Sequence, residues 1–193
     1  MRLFLAAGAL FTVDLLLLLL QALFLPAREA GAGTALRLDF PALVQRSELI
    51  VEGRVLAARP LDVQELLVTE YLLEVSRTFK GADQSYRVLR LPGGLRADGS
   101  GLVVPGVPHL APGEEAVLFL EPEARGGMRL PAGLAQGKFG VRHGADGSKR
   151  LVRDVSSLGL VGAGTAQERR VLVDYADLIA AIEAASRGGG SRR

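Results

Sequence analysis

The chain has 193 residues, of which 49% are hydrophobic, so its length suits one domain of ordinary size and a targeting segment. Its formal net charge is only +2 and no basic block occurs, which argues against a nucleic-acid-binding protein. Cysteine is absent, which excludes disulfides, thiolate metal sites and cysteine nucleophiles.

Residues 1–32 have the pattern of an export signal. An almost wholly apolar stretch runs from Leu3 to Leu25, and small residues suited to signal cleavage follow at Ala30–Ala32. The stretch is also just long enough to span a bilayer, so an uncleaved anchor is the alternative, although the carboxylate of Asp14 opposes insertion. Under either interpretation we expect the rest of the chain to be periplasmic or secreted. A membrane would be contacted only through this segment, and only if it stays uncleaved.

The segment after the signal predicts one short helix followed by strands. Asp39 suits an N-cap and Pro41 suits a first helical turn, so Phe40–Arg46 is predicted to be helical. The stretch "LIVEGRVLAA" then predicts a strand that Pro60 ends, and Gly53 in its middle indicates a bulge or sharp bend.

A longer strand is predicted in "ELLVTEYLLEVSRTFKG". Of its two alternating sets of side chains, the set that runs from Leu67 through Tyr71 and Leu73 to Arg77 is the more apolar, so we expect it to face the core. Further strands are predicted in "SYRVLRLP", in "GLVV" and in the strongly apolar stretch Ala116–Leu120.

The C-terminal third predicts a hairpin and a helix. The stretches "KFGVRH" and "KRLVRD" read as two strands joined by a turn that contains Asp146 and Gly147, a good hairpin signal. Residues 163–173 are predicted to be a linker. Apolar residues at helical spacing then predict an amphipathic helix over 174–187, with Asp174 as its N-cap and 188–193 as a disordered tail.

Together these elements predict a mainly β fold. Residues 33–162 are expected to form a small OB-like β-barrel or a curled antiparallel sheet. The short N-terminal helix belongs to this domain, and the C-terminal amphipathic helix is expected to pack on it.

His109 and His143 are the two histidines of the chain, and neither lies within a metal-binding or catalytic motif. We interpret His109 as a solvated loop residue, although two histidines and a carboxylate that meet in space would form a dispersed metal site. Pro112-Gly113 is typical of a type II turn. Glu114 and Glu115 are interpreted as edge charges ahead of an apolar strand, with side chains on opposite faces. No catalytic residue, metal ligand or cofactor is predicted.

Gln136 lies in the distinctive stretch "RLPAGLAQGKFGVRH" and is polar within an apolar patch, so it needs hydrogen-bond partners if it is buried. We favour a structural role for it, with contact to a ligand as the alternative. Gln136, His109 and Lys138 are the candidate interaction or structural residues. The glycine-rich stretch Gly159–Gly164 has no surrounding βαβ unit and no Walker lysine, which favours a flexible connection over a nucleotide site.

Five stretches carry a resemblance: "LVQRSELIVEGRVLAA", "VTEYLLEVSRTFKG", "YRVLRLPGG", "VPGVPHLAPGEEAVLFLEPE" and "GLAQGKFGVRH". Over Asp39–His143 the chain resembles a group of short, exported bacterial proteins of uncharacterised function. More remotely it resembles the OB-type barrel of netrin-like and metalloproteinase-inhibitor (TIMP-like) domains, which implies that fold and an extracellular protease as a partner. Inhibitors of that class chelate the protease zinc through an N-terminal cysteine, which this chain lacks, so their mechanism does not transfer.

These observations favour an exported, non-catalytic binding or interaction module whose partner is an extracytoplasmic protein. One alternative is an inhibitor or accessory partner of a secreted protease that uses a loop such as Leu95–Pro112 as a wedge. The other alternative is a metal-binding protein or an enzyme with a dispersed site.

Overall fold

A seven-stranded antiparallel sheet forms most of the fold in the computed structural model, which describes residues 33–161 and 170–188. The strands are β1 (Gly33–Leu36), β2 (Leu49–Val63), β3 (Leu66–Lys80), β4 (Tyr86–Pro92), β5 (Gly94–Leu95), β6 (Gly101–Leu102), β7 (Glu115–Leu120), β8 (Lys138–His143), β9 (Lys149–Asp154), β10 (Leu158–Val161) and β11 (Arg170–Asp174). The helices are α1 (Phe40–Arg46) and α2 (Tyr175–Gly188). The large sheet has the order β11-β9-β8-β7-β2-β3-β4, while β1 pairs with β10 and β5 pairs with β6. The predicted mainly β class is therefore confirmed.

Both predicted helices form, and each begins at its predicted cap. The Asp39 carboxylate accepts a hydrogen bond of 2.8 Å from the backbone N–H of Ala42 at the start of α1. The Asp174 carboxylate does the same for the N–H of Ala176 at the start of α2, also at 2.8 Å. Each cap satisfies a backbone donor that has no partner within its own helix.

Strands β2 and β3 form one long hairpin that the sequence analysis predicts only in part. The prediction that Pro60 ends β2 is wrong, because the strand continues to Val63. Pro60 lies where β2 has β3 as its neighbour on one side and is no longer paired with β7 on the other, so a missing N–H costs no ladder hydrogen bond. The turn consists of Gln64 and Glu65, which have positive φ angles of 50° and 66°.

Three register shifts interrupt the β2–β3 ladder and curl the sheet. At one of them Glu52 lies opposite Arg77 while Gly53 lies opposite Val75, so Ser76 is an extra residue on β3. A Cβ atom on Gly53 would lie 2.6 Å from a backbone carbonyl oxygen of β3. Because no side chain fits at that distance, glycine is required here, and the predicted bulge is confirmed.

The extra residue also explains one error in the predicted alternation of β3. Leu67, Tyr71 and Leu73 are buried as predicted. Arg77, assigned to the same set, is exposed and forms an ion pair of 3.7 Å with Glu183 of α2, because the bulge moves it to the other face.

Two cores lie on the two faces of the large sheet. Both helices contribute to the first, and we call that side the helix face; its cluster includes Ile50, Phe119 and Phe139. On the opposite side, which we call the loop face, the cluster includes Tyr71 and Leu110. Leu110 belongs to the long connection between β6 and β7, so this connection helps to cover the loop face.

The large sheet is curled but open in the described part of the chain. Its edge strands, β4 and β11, are not hydrogen-bonded to each other, so no closed barrel is found. β8 and β9 pair as the predicted hairpin. β11 lies mostly within the predicted linker 163–173 and pairs with β9 instead of connecting freely.

Several predictions fall on residues outside the described ranges. These are the export segment 1–32, the remainder of the linker at 163–169, and the tail from 189 onward. Within the described residues, 33–161 and 170–188, no helix has the length and apolar character needed to cross a membrane.

Candidate functional site

The candidate site is an apolar pocket of about 380 Å³ on the loop face. It opens between strands β3 and β4 and the segment 93–109, which contains the β5–β6 hairpin. Its walls are mainly aliphatic, with Leu91, Leu95, Leu102, Val104 and Val107 among them. A cavity of this size and composition is typical of a binding site.

The β5–β6 hairpin that forms one wall is held in place by backbone geometry and by polar contacts. The Thr69 hydroxyl donates a hydrogen bond of 2.8 Å to the Gly93 carbonyl. Gly94 has a φ of 145°, and a Cβ atom there would collide with the Thr69 hydroxyl. The Arg96 guanidinium lies 2.5 Å from the Asp62 carboxylate, which attaches the hairpin tip to β2. These contacts attach the wall to β2 and β3.

The rim of the pocket exposes large apolar side chains to solvent. Val103 is 86% exposed and Leu95 is 67% exposed, and Leu102 lies beside them. Clustered apolar side chains around an apolar cavity mark interaction surfaces more often than scattered ones do. The pocket and its rim together form a continuous apolar surface.

Two polar side chains line one side of the pocket. The Tyr71 hydroxyl lies 3.3 Å from Nδ1 of His109, and the two rings meet edge to face. Burial raises the pKa of the Tyr71 hydroxyl, although the backbone N–H of Leu110 opposes this effect. Tyr71 therefore stays protonated at neutral pH and can donate a hydrogen bond. His109 is exposed in its loop and contacts Tyr71 as well as solvent.

A second, more polar pocket of about 270 Å³ lies on the other side of His109. Lys138 lies in it, and its ammonium group is 2.7 Å from the Glu114 carboxylate and donates a hydrogen bond of 2.6 Å to the His109 carbonyl. Lys138 thereby ties β8 to the loop that carries His109. Two of the three candidate residues from the sequence analysis, His109 and Lys138, are thus in contact beside the apolar pocket.

Gln136, the third candidate residue, is buried, and its hydrogen bonds go to residues other than His109 and Lys138. Its side-chain carbonyl accepts a hydrogen bond of 2.8 Å from the N–H of Leu38. Its amide group donates to the carbonyls of Leu36 and Gly133 at 2.9 and 3.1 Å. These backbone partners satisfy the buried amide and attach the chain after β1 to the turn before β8, which is the structural role.

A charged cluster on the helix face is not predicted from the sequence. The Glu52 side chain is only 3% exposed, and its carboxylate accepts hydrogen bonds from Lys149 at 2.9 Å and from Tyr175 at 2.5 Å. Lys149 also lies 3.3 Å from Glu115, which pairs with His143 at 2.8 Å. The signal for this cluster was the glutamate within the apolar stretch "LIVEGRV".

The interpretation of the two adjacent glutamates is corrected in one respect. Their side chains do point to opposite faces, because Glu114 contacts Lys138 and Glu115 contacts Lys149. They are not edge charges, since β7 lies between β2 and β8 in the middle of the sheet. The stretch "AVLFL" is apolar because it lies in a central strand of the sheet with both of its faces buried.

The two histidines of the chain do not meet in the described ranges. His109 and His143 lie on opposite faces of the sheet and each contacts a different partner. Within residues 33–161 and 170–188, no group of three or more His, Asp or Glu side chains is arranged to hold a metal ion. The chain matches no protein-family model, no curated protein and no solved structure, so the site is known from its own geometry.

Proposed function

We propose that this protein is an exported, non-catalytic binding module and that the apolar pocket is its binding site. The observation that carries the proposal is the pocket of about 380 Å³ with the exposed side chains of Leu95 and Val103 at its rim. A partner that covers these side chains removes apolar surface from water, which contributes a favourable free energy of about 25 cal/mol per Å² of apolar surface buried. Export rests on the apolar stretch Leu3–Leu25 of the sequence.

The lining predicts the chemistry of the bound group. Its aliphatic walls suit one or two apolar side chains of a partner protein. The Tyr71 hydroxyl and the His109 imidazole add hydrogen-bonding capacity at one side. We therefore expect an apolar group that carries a hydrogen-bonding atom at one end, which is how a few polar atoms orient ligands in apolar sites.

A second candidate function, an inhibitor or accessory partner of a secreted protease, draws support from the same region. The segment Leu95–Pro112 contains the exposed Val103 and a hairpin attached to β2 through Arg96 and Asp62. A fixed, apolar projection suits insertion into a cleft of another protein, because little conformational entropy is lost on binding. Unchanged activity of a captured protease at saturating protein would remove this candidate.

The test is affinity capture from envelope and culture-supernatant extracts, with cross-linking and mass spectrometry. The variant Val103→Asp places a charge on the exposed rim, and Leu172→Asp is its matched control because Leu172 is also exposed but lies on β11 at the far edge of the sheet. We expect a dominant partner that is captured by the wild type and the control and lost with Val103→Asp. Equal capture by both variants would show that the pocket is not the binding site.

We further propose that the curled sheet is an opened relative of an OB-type barrel. The three register shifts of the β2–β3 hairpin support this, since bulges of this kind let a sheet bend toward closure. An experimental structure in which β4 and β11 lie far apart across a flat sheet would contradict it.

A further inference from the structure

Strand β4 leaves part of one sheet edge open, independently of the apolar pocket. In its ladder with β3, the Val75 N–H donates to the Ser85 carbonyl and the Gly93 N–H donates to the Leu67 carbonyl, each at 2.8 Å. Hydrogen-bonded pairs alternate with non-hydrogen-bonded pairs along an antiparallel ladder. The backbone groups of Tyr86 and Val88 therefore point away from β3.

The chain itself already adds a segment to this edge one pair further on. The Arg129 N–H donates a hydrogen bond of 3.2 Å to the Arg90 carbonyl, and Met128 forms a parallel bridge with Arg90. Beyond this contact, nothing among the described residues pairs with the outward backbone groups of Tyr86 and Val88. We call Tyr86–Leu89 the open edge.

The two sides of the open edge differ in chemistry. On one side Val88 is 60% exposed and Tyr86 is 58% exposed, and Leu72, directly opposite Val88 on β3, is exposed as well. On the other side a cavity of about 230 Å³ lies against Arg87 and Leu89. An added strand would place alternate side chains on these two sides.

The Arg87 guanidinium gives the second side a positive charge that is incompletely satisfied. One of its terminal nitrogens donates to the Ala82 carbonyl, but its buried Nε has no hydrogen-bond partner in the described part of the chain. Arg129 also lines this cavity, but it pairs with Glu48 at 3.0 Å and with Glu123 at 4.0 Å, whereas Arg87 forms no ion pair in the described part of the chain. Burial, followed by the charge of Arg129, lowers the pKa of Arg87 against the opposing effect of Asp83. A carboxylate placed here would gain a charge-assisted hydrogen bond.

We propose that the open edge binds an extended segment of another protein by strand addition, with apolar side chains opposite Tyr86 and Val88 and a carboxylate opposite Arg87. The backbone hydrogen bonds supply affinity and the alternating side chains supply specificity, as in other cases of strand addition. A second copy of this chain fits less well. A symmetric pairing centred on Arg87 places two arginines opposite each other, and a pairing centred on Val88 meets the Met128–Arg129 segment.

The probe is the fluorescein-labelled peptide Thr-Val-Glu-Val-Thr, compared with Thr-Val-Lys-Val-Thr, with binding measured by fluorescence anisotropy on the purified protein. We expect saturable binding of the glutamate peptide and at least about tenfold weaker binding of the lysine peptide. Hydrogen exchange followed by NMR should slow at the amides of Tyr86 and Val88 when the peptide binds. Absence of saturable binding, or binding without protection of these amides, would overturn the proposal.

Two variants test the backbone and charge contributions separately. Val88→Pro removes an outward N–H without breaking the ladder to β3, so peptide binding should be lost, while the matched variant Val88→Thr should retain it. Arg87→Glu should reverse the preference toward the lysine peptide and decides the matter if the proline variant does not fold. Binding that is insensitive to both changes would contradict the proposal. A dimer in analytical ultracentrifugation that Val88→Pro converts to monomers would assign the edge to a second copy and overturn it too.

Discussion

Replacing Lys149 by methionine tests whether the charged cluster on the helix face depends on one cation. The Lys149 ammonium lies 2.9 Å from Glu52 and 3.3 Å from Glu115. The hydrogen bond to Glu52, the largest influence, raises the pKa of Lys149, and the nearby carboxylates add to the effect. Without this cation, the nearly fully buried Glu52 carboxylate keeps Tyr175 as a donor but loses its countercharge.

The structure sets the size of the expected loss. Removing one partner of a buried ion pair costs about 3–5 kcal/mol. We expect the lower end, about 3 kcal/mol, because Tyr175 continues to donate to Glu52 and Lys149 is itself partly exposed. In a chain of this size that loss corresponds to a fall in Tm of about 6–12 °C.

The assay is urea denaturation at pH 7 on the single variants Lys149→Met and Glu52→Gln and on their combination. The matched control is Arg150→Met, the exposed neighbour on the same strand, which should change the free energy of unfolding by less than about 0.5 kcal/mol. Coupling predicts that the double variant loses less stability than the sum of the single losses. The reasoning would be refuted if Lys149→Met cost no more than Arg150→Met, or if the two single losses simply added.

Three further predictions concern other parts of the fold. Gly53→Ala should cost about 1–3 kcal/mol because its Cβ would lie 2.6 Å from a backbone oxygen, whereas Gly140→Ala, with no atom closer than 3.7 Å, should be nearly neutral in the same urea titration. Burial raises the pKa of Glu115, but hydrogen bonds from His143 and Lys149 outweigh this and leave it below the ordinary value of 4.5. The pKa of Glu115 is thus lower in the folded than in the unfolded state. Its contribution to the free energy of unfolding is therefore present above about pH 4.5 and is lost as the pH falls further. Glu115→Gln should reduce this acid sensitivity when the free energy of unfolding is compared at pH 7 and pH 4. Gln136→Leu removes three hydrogen bonds to backbone groups and should cost about 2–3 kcal/mol, with faster amide exchange confined at first to β1; unchanged exchange there would contradict the role of this side chain.

Local signals in the sequence predict the helices and one hairpin because their causes are local. Asp39 and Asp174 cap helices through donors two or three residues away, and Asp146-Gly147 turns the chain within a few residues. The alternation that buries Tyr71 and Leu73 is likewise a property of consecutive residues. Each of these features depends on few or no distant contacts.

The pairings that depend on distant segments are not visible in the sequence. Pro60 is tolerated because β7 no longer flanks β2 at that point, and the sheet order alone determines this. The turn at Gln64–Glu65 uses positive φ angles without the glycine or asparagine that usually marks them. Ser76 is an extra residue only relative to the strand opposite.

The contacts that form the candidate site also depend on segments that are distant in the sequence. The pocket joins β3 and β4 to a segment that starts where β4 ends, and the sequence of that segment is mostly glycine, proline and aliphatic residues without a recognisable motif. His109 and Lys138 can be selected as candidates, but their contact across 29 positions of sequence follows from the fold. The charged cluster joins Glu52 to Tyr175 across 123 positions, a distance at which residue patterns carry no information about contact.

The extra residue Ser76 lets a single strand serve both sides of the sheet. Before it, β3 contributes Tyr71, Leu73 and Val75 to the core of the loop face, and after it, Phe79 packs on the helix face and Arg77 reaches α2. The number of residues between Val75 and Arg77 therefore decides which alternate side chains of β3 face each side of the sheet. A deletion of one residue at this point would exchange the solvent-facing and core-facing rows of half a strand, whereas a deletion in a surface loop would leave both rows in place. The length of β3 is thus as constrained as its composition.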